Sequence, residues 1–210
     1  MKVKICGLTN LEDALAAVEY GADAVGFIFA PESPRFVSDD VVGEIVSKLP
    51  PFVTTVGVFA SGGEKDFQHA INACGIDLIQ LHGSFPPETL RAFSERAIQV
   101  IRIQDARSLD EAVSAPVRVI LLDTYRKGVL GGGGVPFDWE IAIQAKRLGK
   151  IILAGGLTPD NVREAIEKVR PYGVDVSSGV EMGPGRKDHK KLKRFIEAAK
   201  GGRGIHASSE

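Results

Sequence analysis

The chain has 210 residues, 44% of them hydrophobic and 25% charged, with a formal net charge of −1. That balance suits one globular domain with a sizeable core. It leaves no bulk electrostatic case for nucleic acid or an anionic membrane, so any anion site must be built locally.

In chain order, VKIC (3–6) is the first β-branched run, and NLEDALAAVEYG follows with helical period. Leu11, Leu15 and Val18 fall on one face of that helix, which ends at Gly21. A second strand is expected over AVGFIFA (24–30), then the loop APESPRF carrying Arg35. SDDVVGEIVSKLP opens on a Ser38 cap and stops at a Pro pair. VTTVGVFA (53–60), DLIQLH (77–82), IQVIRI (98–103) and VRVILLD (117–123) read as strands three to six. PPETLRAFSERA, after strand four, is a helix; the segments 63–74 and 108–114 are the two weakest helical readings.

The loop 124–137 carries Gly131 to Gly134 and reads as a lid. A helix over Asp138–Leu148 precedes strand seven, KIILAG (150–155). TPDNVREAIEKV then starts with Thr158 as N-cap, Pro159 at the first helical position and Asp160 in the first turn. VDVSS (174–178) is strand eight, and a last helix is expected over Lys187–Lys200. Residues 201–210, GGRGIHASSE, read as a flexible tail after a 1–200 catalytic domain.

Strand–helix alternation implies a parallel sheet, because parallel neighbours need a crossover. Eight units fit a closed, single-domain (β/α)8 TIM barrel of the α/β class. The rival is an open doubly wound sheet, but no GxGxxG follows the first strand.

A barrel places its chemistry at the C-terminal strand ends. Cys6 ends strand one; it is either a small buried hydrophobe or a base whose thiolate a cation favours. Asp123 ends strand six after a run of apolar residues, where a carboxyl is costly without a partner or a task. Strands one and six lie three steps apart around the ring, so their ends can approach one ligand from nearly opposite sides. That layout suits an isomerase in which one group removes a proton and another donates one. Asp175 within strand eight, His82 ending strand four and Arg35 are candidate substrate contacts, Arg35 as a clamp for a carboxylate. Each has a plainer alternative: a structural carboxylate, a satisfied strand-end histidine and a solvated loop charge. Gly155 and Gly156 after strand seven, with Ser177, Ser178 and Gly179 after strand eight, form a candidate phosphate site.

Cys6 and Cys74 are the only cysteines, without disulfide or metal-ligand spacing, and Cys74 faces no expected site. The expectation is a reducing, cytoplasmic setting and no bound metal. The start MKVKICG lacks a signal-length apolar segment, and no run approaches the roughly 18 residues of a membrane helix.

KICG, GFIFAPESPRFV, VGVF, IQLHG, LLDT, the Gly-rich stretch ending in FDW, LAGGLTPDNV and GVDVSSGVE occur in this order over residues 2–198. In these motifs the chain resembles the phosphoribosylanthranilate isomerase family of tryptophan biosynthesis. The resemblance implies an aldose–ketose isomerase, an intramolecular oxidoreductase, acting on a phosphorylated small molecule without a cofactor. N-(5-phosphoribosyl)anthranilate would become 1-(2-carboxyphenylamino)-1-deoxyribulose 5-phosphate by Amadori rearrangement. Asp123 would be the general acid that opens the ribose ring, and Cys6 the base that takes the C2 proton. Arg35 would face the anthranilate and Asp175 would support. No nucleic-acid or membrane partner is implied, and the chain would act as a monomer or a homodimer. Two stretches depart from the family pattern. Gly134-Val135-Pro136 stands where a Thr-Gly pair is common, and Ser84-Phe85 where an acidic pair is.

Two other enzymes fit less well. The histidine-pathway isomerase uses an Asp where this chain has Cys6, and indole-glycerol-phosphate synthase needs a strand-end Lys, whereas Lys4 lies inside strand one. A non-catalytic phosphate-binding barrel would keep the small-residue loops but would not need Cys6 and Asp123 together.

Overall fold

The computed structural model describes residues 1–114, 117, 119–124 and 136–201, with the backbone alone for 111–114. The expected lid glycines, Gly131 to Gly134, lie outside the described residues, as does the expected tail beyond Gly201.

Eight strands occur, as the β-branched runs predict: β1 Lys2–Ile5, β2 Ala24–Ile28, β3 Thr54–Phe59, β4 Leu78–Leu81, β5 Ala97–Ile103, β6 Val119–Thr124, β7 Lys150–Leu153 and β8 Gly173–Val176. They pair in parallel, in sequence order, and close with β8 against β1. Closure excludes the open doubly wound sheet. The helices are α1 Leu11–Glu19, α2 Asp39–Val46, α3 Glu64–Cys74, α4 Pro87–Ala92, α5 Trp139–Ala145, α6 Val162–Val169 and α7 His189–Lys200. The crossover from β5 to β6 is a 3-10 helix over Ala106–Ser114.

Alternation along each strand sorts side chains into two apolar regions. Val56, Ile98, Val100, Leu121 and Ala154 fill the barrel. Ile5, Val25, Ile79, Leu122 and Leu153 point outward and meet Ala17, Phe67, Val162 and Phe195 from the helices. Each fully buried large side chain contributes roughly 2 kcal/mol by removal from water. Phe67 of α3 stands edge-on to Phe59 at 4.9 Å and to Phe93 at 5.5 Å, which ties two helices to the sheet.

Three local readings differ from the sequence expectation. Leu15 is 40% exposed, while Ala14 and Ala17 are the fully buried face of α1; small side chains let that helix lie close on the barrel. The segment 63–74, one of the two weakest helical readings, is helical as expected: it forms the eleven-residue α3, with a left-handed Gly75 as its C-terminal cap. The helix expected from Thr158 starts at Val162. Thr158 instead closes a turn, in which its oxygen accepts from Asp160 N at 3.3 Å and its N–H donates to Asn161 Oδ1 at 2.8 Å. Lastly, Lys187 is not helical. A short antiparallel hairpin, β9 Glu181–Gly183 and β10 Arg186–Lys187, follows β8. Asp188 caps α7 by accepting from Lys190 N and Lys191 N at 2.9 and 3.1 Å.

Candidate active site

The C-terminal ends of the strands enclose a cavity. Cys6, Arg35, His82, Asp123, Asp175 and Ser177 all line it, together with Gly155 and Gly156. The strand-end argument therefore brings the acid and base candidates into one space. Cys74 is buried at the end of α3 and is not among the lining residues.

Asp123 is 7% exposed. Burial, reinforced by the negative charge of Asp175, pushes its carboxyl up to about 6, against the Thr124 N–H that donates to its Oδ1 at 2.8 Å. Arg102 lies opposite it in the β5–β6 register and acts in the other direction as a positive charge. A carboxyl in this range keeps a usable share of its proton near neutrality, which a general acid requires.

Gly155 makes room for this group. Its φ is +76°, and a Cβ there would lie 2.8 Å from Asp123 Oδ1 and would also collide with Thr124. Gly155→Ala is expected to lower kcat/KM by about 10²-fold through displacement of the carboxylate. It should also depress the melting temperature. Unchanged kinetics in a folded variant would show that Asp123 does not depend on this approach.

His82 Nε2 lies 3.7 Å from Asp123 Oδ2, beyond hydrogen-bond reach. Burial and the positive charges of Arg102 and Lys4 pull its imidazole down to about 4. It is therefore neutral at pH 7, able to donate or accept one hydrogen bond to a ligand.

Cys6 follows β1 directly, 5% exposed. Burial pushes its thiol above the ordinary value, and the Asp175 charge adds to that; Lys4 and Lys187 oppose both.

Beneath the cavity lies a set of buried ions. Lys4 Nζ is 2.9 Å from Asp175 Oδ1, with both side chains under a tenth exposed. Arg35 donates through Nε and Nη2 to Glu181 at 2.9 and 2.7 Å, a bidentate pair. Lys187 Nζ donates to Glu181 Oε1 at 3.0 Å and to the Cys6 carbonyl at 2.6 Å. Arg35 thus keeps for a ligand the two N–H groups of Nη1 and the second N–H of Nη2. Lys4, Gln80, Arg102, Glu181 and Lys187 were not singled out as site residues. For Lys4 and Gln80 a signal existed, since each is a polar residue at the inward parity of an otherwise apolar strand. Glu181 and Lys187 meet only through the β9–β10 hairpin, which has no periodic signature.

After β7, Gly156 also has positive φ, at +69°. The Ser177 hydroxyl is buried and makes no hydrogen bond among the described residues. Ser178 and Gly179 form the short 3-10 turn Ser178–Val180 that follows. A Cβ on Gly179 would run into the Leu157 carbonyl, so the turn can be this tight only with glycine.

A family profile described as N-(5'phosphoribosyl)anthranilate (PRA) isomerase matches residues 3–198. A relative named N-(5'-phosphoribosyl)anthranilate isomerase, from Geobacter sulfurreducens, is 51% identical over 201 residues, covering 96% of this chain and 99% of the relative. A crystal structure of phosphoribosyl anthranilate isomerase in complex with reduced 1-(o-carboxyphenylamino)-1-deoxyribulose 5-phosphate superposes with a TM-score of 0.86 at 42% identity, over 96% of this chain and 99% of that one. A structure described as monomers of a dimeric phosphoribosylanthranilate isomerase from Thermotoga maritima gives a TM-score of 0.85 at 40% identity, with the same coverage.

Proposed function

The chain belongs to the N-(5'-phosphoribosyl)anthranilate isomerase family, and on that premise we propose how its residues divide the work. The enzyme is an intramolecular oxidoreductase of tryptophan biosynthesis. It converts N-(5'-phosphoribosyl)anthranilate into 1-(2-carboxyphenylamino)-1-deoxyribulose 5-phosphate. Asp123 protonates the ribose ring oxygen, and the ring opens to a Schiff base. The Cys6 thiolate takes the proton from C2, and the resulting enolamine tautomerises to the ketone. The observation that carries this assignment is the pairing of two groups of opposite task in one cavity: a carboxyl raised to about 6 and a thiol flanked by cations.

The substrate phosphate sits against Gly155, Gly156 and the Ser177–Gly179 turn. The buried Ser177 hydroxyl, with no partner among the described residues, supports this reading. Arg35 faces the anthranilate carboxylate with the donors Glu181 leaves free. His82 contacts the substrate as a neutral imidazole. Asp175 contributes through Lys4. The test is direct: mix protein with phosphoribosylanthranilate and follow the loss of anthranilate fluorescence. Binding without turnover would favour a non-catalytic phosphate-binding barrel.

Both cysteines are free, which supports a reducing cytoplasm. No helix among the described residues is long and apolar enough to cross a membrane.

For assembly we propose a homodimer rather than a monomer. Phe52, in the loop before β3, is 99% exposed. It borders a cavity at the N-terminal end of the barrel lined by Val56, Leu78 and Ile98 and by the charged Lys2, Lys4 and Asp23. A phenylalanine this exposed, beside a recess at the end of the barrel, supports a contact surface there. Phe52→Asp is expected to halve the mass seen by light scattering with kcat/KM retained, because the cavity lies at the opposite end from Cys6. A monomeric parent protein, or a variant of unchanged mass, would rule this surface out.

A further inference from the structure

The mechanism gives buried Lys4 no task beyond its contact with Asp175. Lys4 is 4% exposed and sits at the centre of the barrel, two residues before Cys6 and on the same inward face. On β2, Ala24 lies opposite Lys4, and Gly26 follows two residues later on the same inward face. A Cβ built there would meet Cys6 Sγ at 3.0 Å and Lys4 Nζ at 3.1 Å. The missing side chain thus leaves a space into which the sulfur and the ammonium both project. Asp175 accepts from Lys4 Nζ at 2.9 Å and fixes it from the β8 side.

We propose that Lys4 is a positioning residue of the isomerase: held by Asp175, its ammonium is the counter-ion of the Cys6 thiolate that takes the C2 proton. This inference rests on the reading of Cys6 as the base.

The charges facing Cys6 support it. Lys4 shares its strand, Asp175 stands on β8, Lys187 on β10 and Arg35 on the loop after β2. Glu181 neutralises part of that set through Arg35 and Lys187. Three cations therefore face two carboxylates, and a thiolate makes the group neutral. Lys187 and Arg35 have Glu181 as their carboxylate, and Lys187 also holds the Cys6 carbonyl. Lys4 has Asp175 as its carboxylate partner among the described residues, and its ammonium lies in the same space beside Gly26 as the sulfur. Without Lys4, burial and Asp175 would act on the thiol against the charges of Lys187 and Arg35.

The test measures the sulfur itself. In a Cys74→Ala background, so that one thiol remains, Cys6 is alkylated with iodoacetamide at pH 8. Below the thiol's pKa the rate follows the thiolate fraction. Lys4→Gln can still hydrogen-bond to Asp175 but carries no charge. It should slow alkylation about tenfold, because less of the thiol is ionised; Lys4→Met should do the same and Lys4→Arg should restore the rate. In turnover, Lys4→Gln should lower kcat about tenfold with little change in KM.

The sign separates this role from a structural one. A loosened barrel exposes Cys6 and speeds alkylation, whereas loss of the counter-ion slows it. If Lys4→Met does not fold, Lys4→Gln carries the test alone. Alkylation as fast as in the parent, or faster, in the folded Lys4→Gln protein overturns the proposal. Full activity of Cys6→Ala would overturn the base assignment instead, and the alkylation rates would still report whether Lys4 controls the sulfur.

Discussion

Asp123→Asn is expected to lower kcat by about 10³-fold, within the range for loss of a general acid, and to change the shape of the pH profile. In the native enzyme the carboxyl lies near 6 and the thiol lies above its ordinary value. Between those two values the site holds one proton, and most molecules keep it on sulfur. The productive form is the minor one, with the proton on Asp123 and the charge on Cys6. The ratio of the two forms does not change with pH across that interval, so kcat/KM should be flat there. Below about pH 6 a second proton enters, the thiolate form disappears, and kcat/KM should fall tenfold per unit. An asparagine cannot titrate. Residual kcat/KM of Asp123→Asn should therefore rise with pH through neutrality, following the thiolate of Cys6 alone. A variant that keeps the native plateau and its fall below about pH 6 would show that the limb belongs to another group. His82, pulled down to about 4, is too acidic to supply it.

Much of this arrangement is legible in the amino-acid sequence, for a physical reason. Buried parallel strands are apolar runs, so the polar residues that end them stand out. Cys6 and Asp123 are of that kind, and the barrel brings both to one cavity. Gly155 and Gly156 stand out as well, although only the structure shows that Gly155 keeps space for the acid itself. What periodicity could not reveal depends on groups distant in sequence. Lys4 and Asp175 are 171 residues apart and meet because β8 closes against β1. Glu181 reaches Arg35 across 146 residues. Lys187 read as the first residue of a charged helix, yet Asp188 caps that helix and leaves Lys187 buried under Cys6. Leu15 shows the same limit for packing: the apolar stripe suggested leucine inward, but the close approach of α1 selects Ala14 and Ala17. The choice of substrate lay outside periodicity altogether and rests on the family motifs and the relatives.

Cys6→Ala is expected to cost about as much as loss of the acid, 10²- to 10⁴-fold in kcat, but with the opposite pH signature. Alanine removes the sulfur and little else, since the Cys6 backbone stays fixed by the Lys187 ammonium on its carbonyl and by its own N–H, which donates to Val176 O at 2.8 Å. The fold should therefore survive, and the defect should be chemical. Residual turnover would need only the protonated acid, so it should fall as pH rises above about 6, where the native enzyme is flat. Cys6→Ser should lie close to Cys6→Ala. A hydroxyl is a far weaker acid than a thiol, and the cations that face Cys6 cannot bring it to the alkoxide near neutrality. The two variants together separate base from bystander. If Cys6→Ser kept native activity, the sulfur would be serving as a hydrogen-bonding group rather than as the proton acceptor at C2. If residual activity in Cys6→Ala rose with pH, another base would be taking the C2 proton, and Lys187, whose ammonium burial holds below its ordinary value, would be the first group to examine.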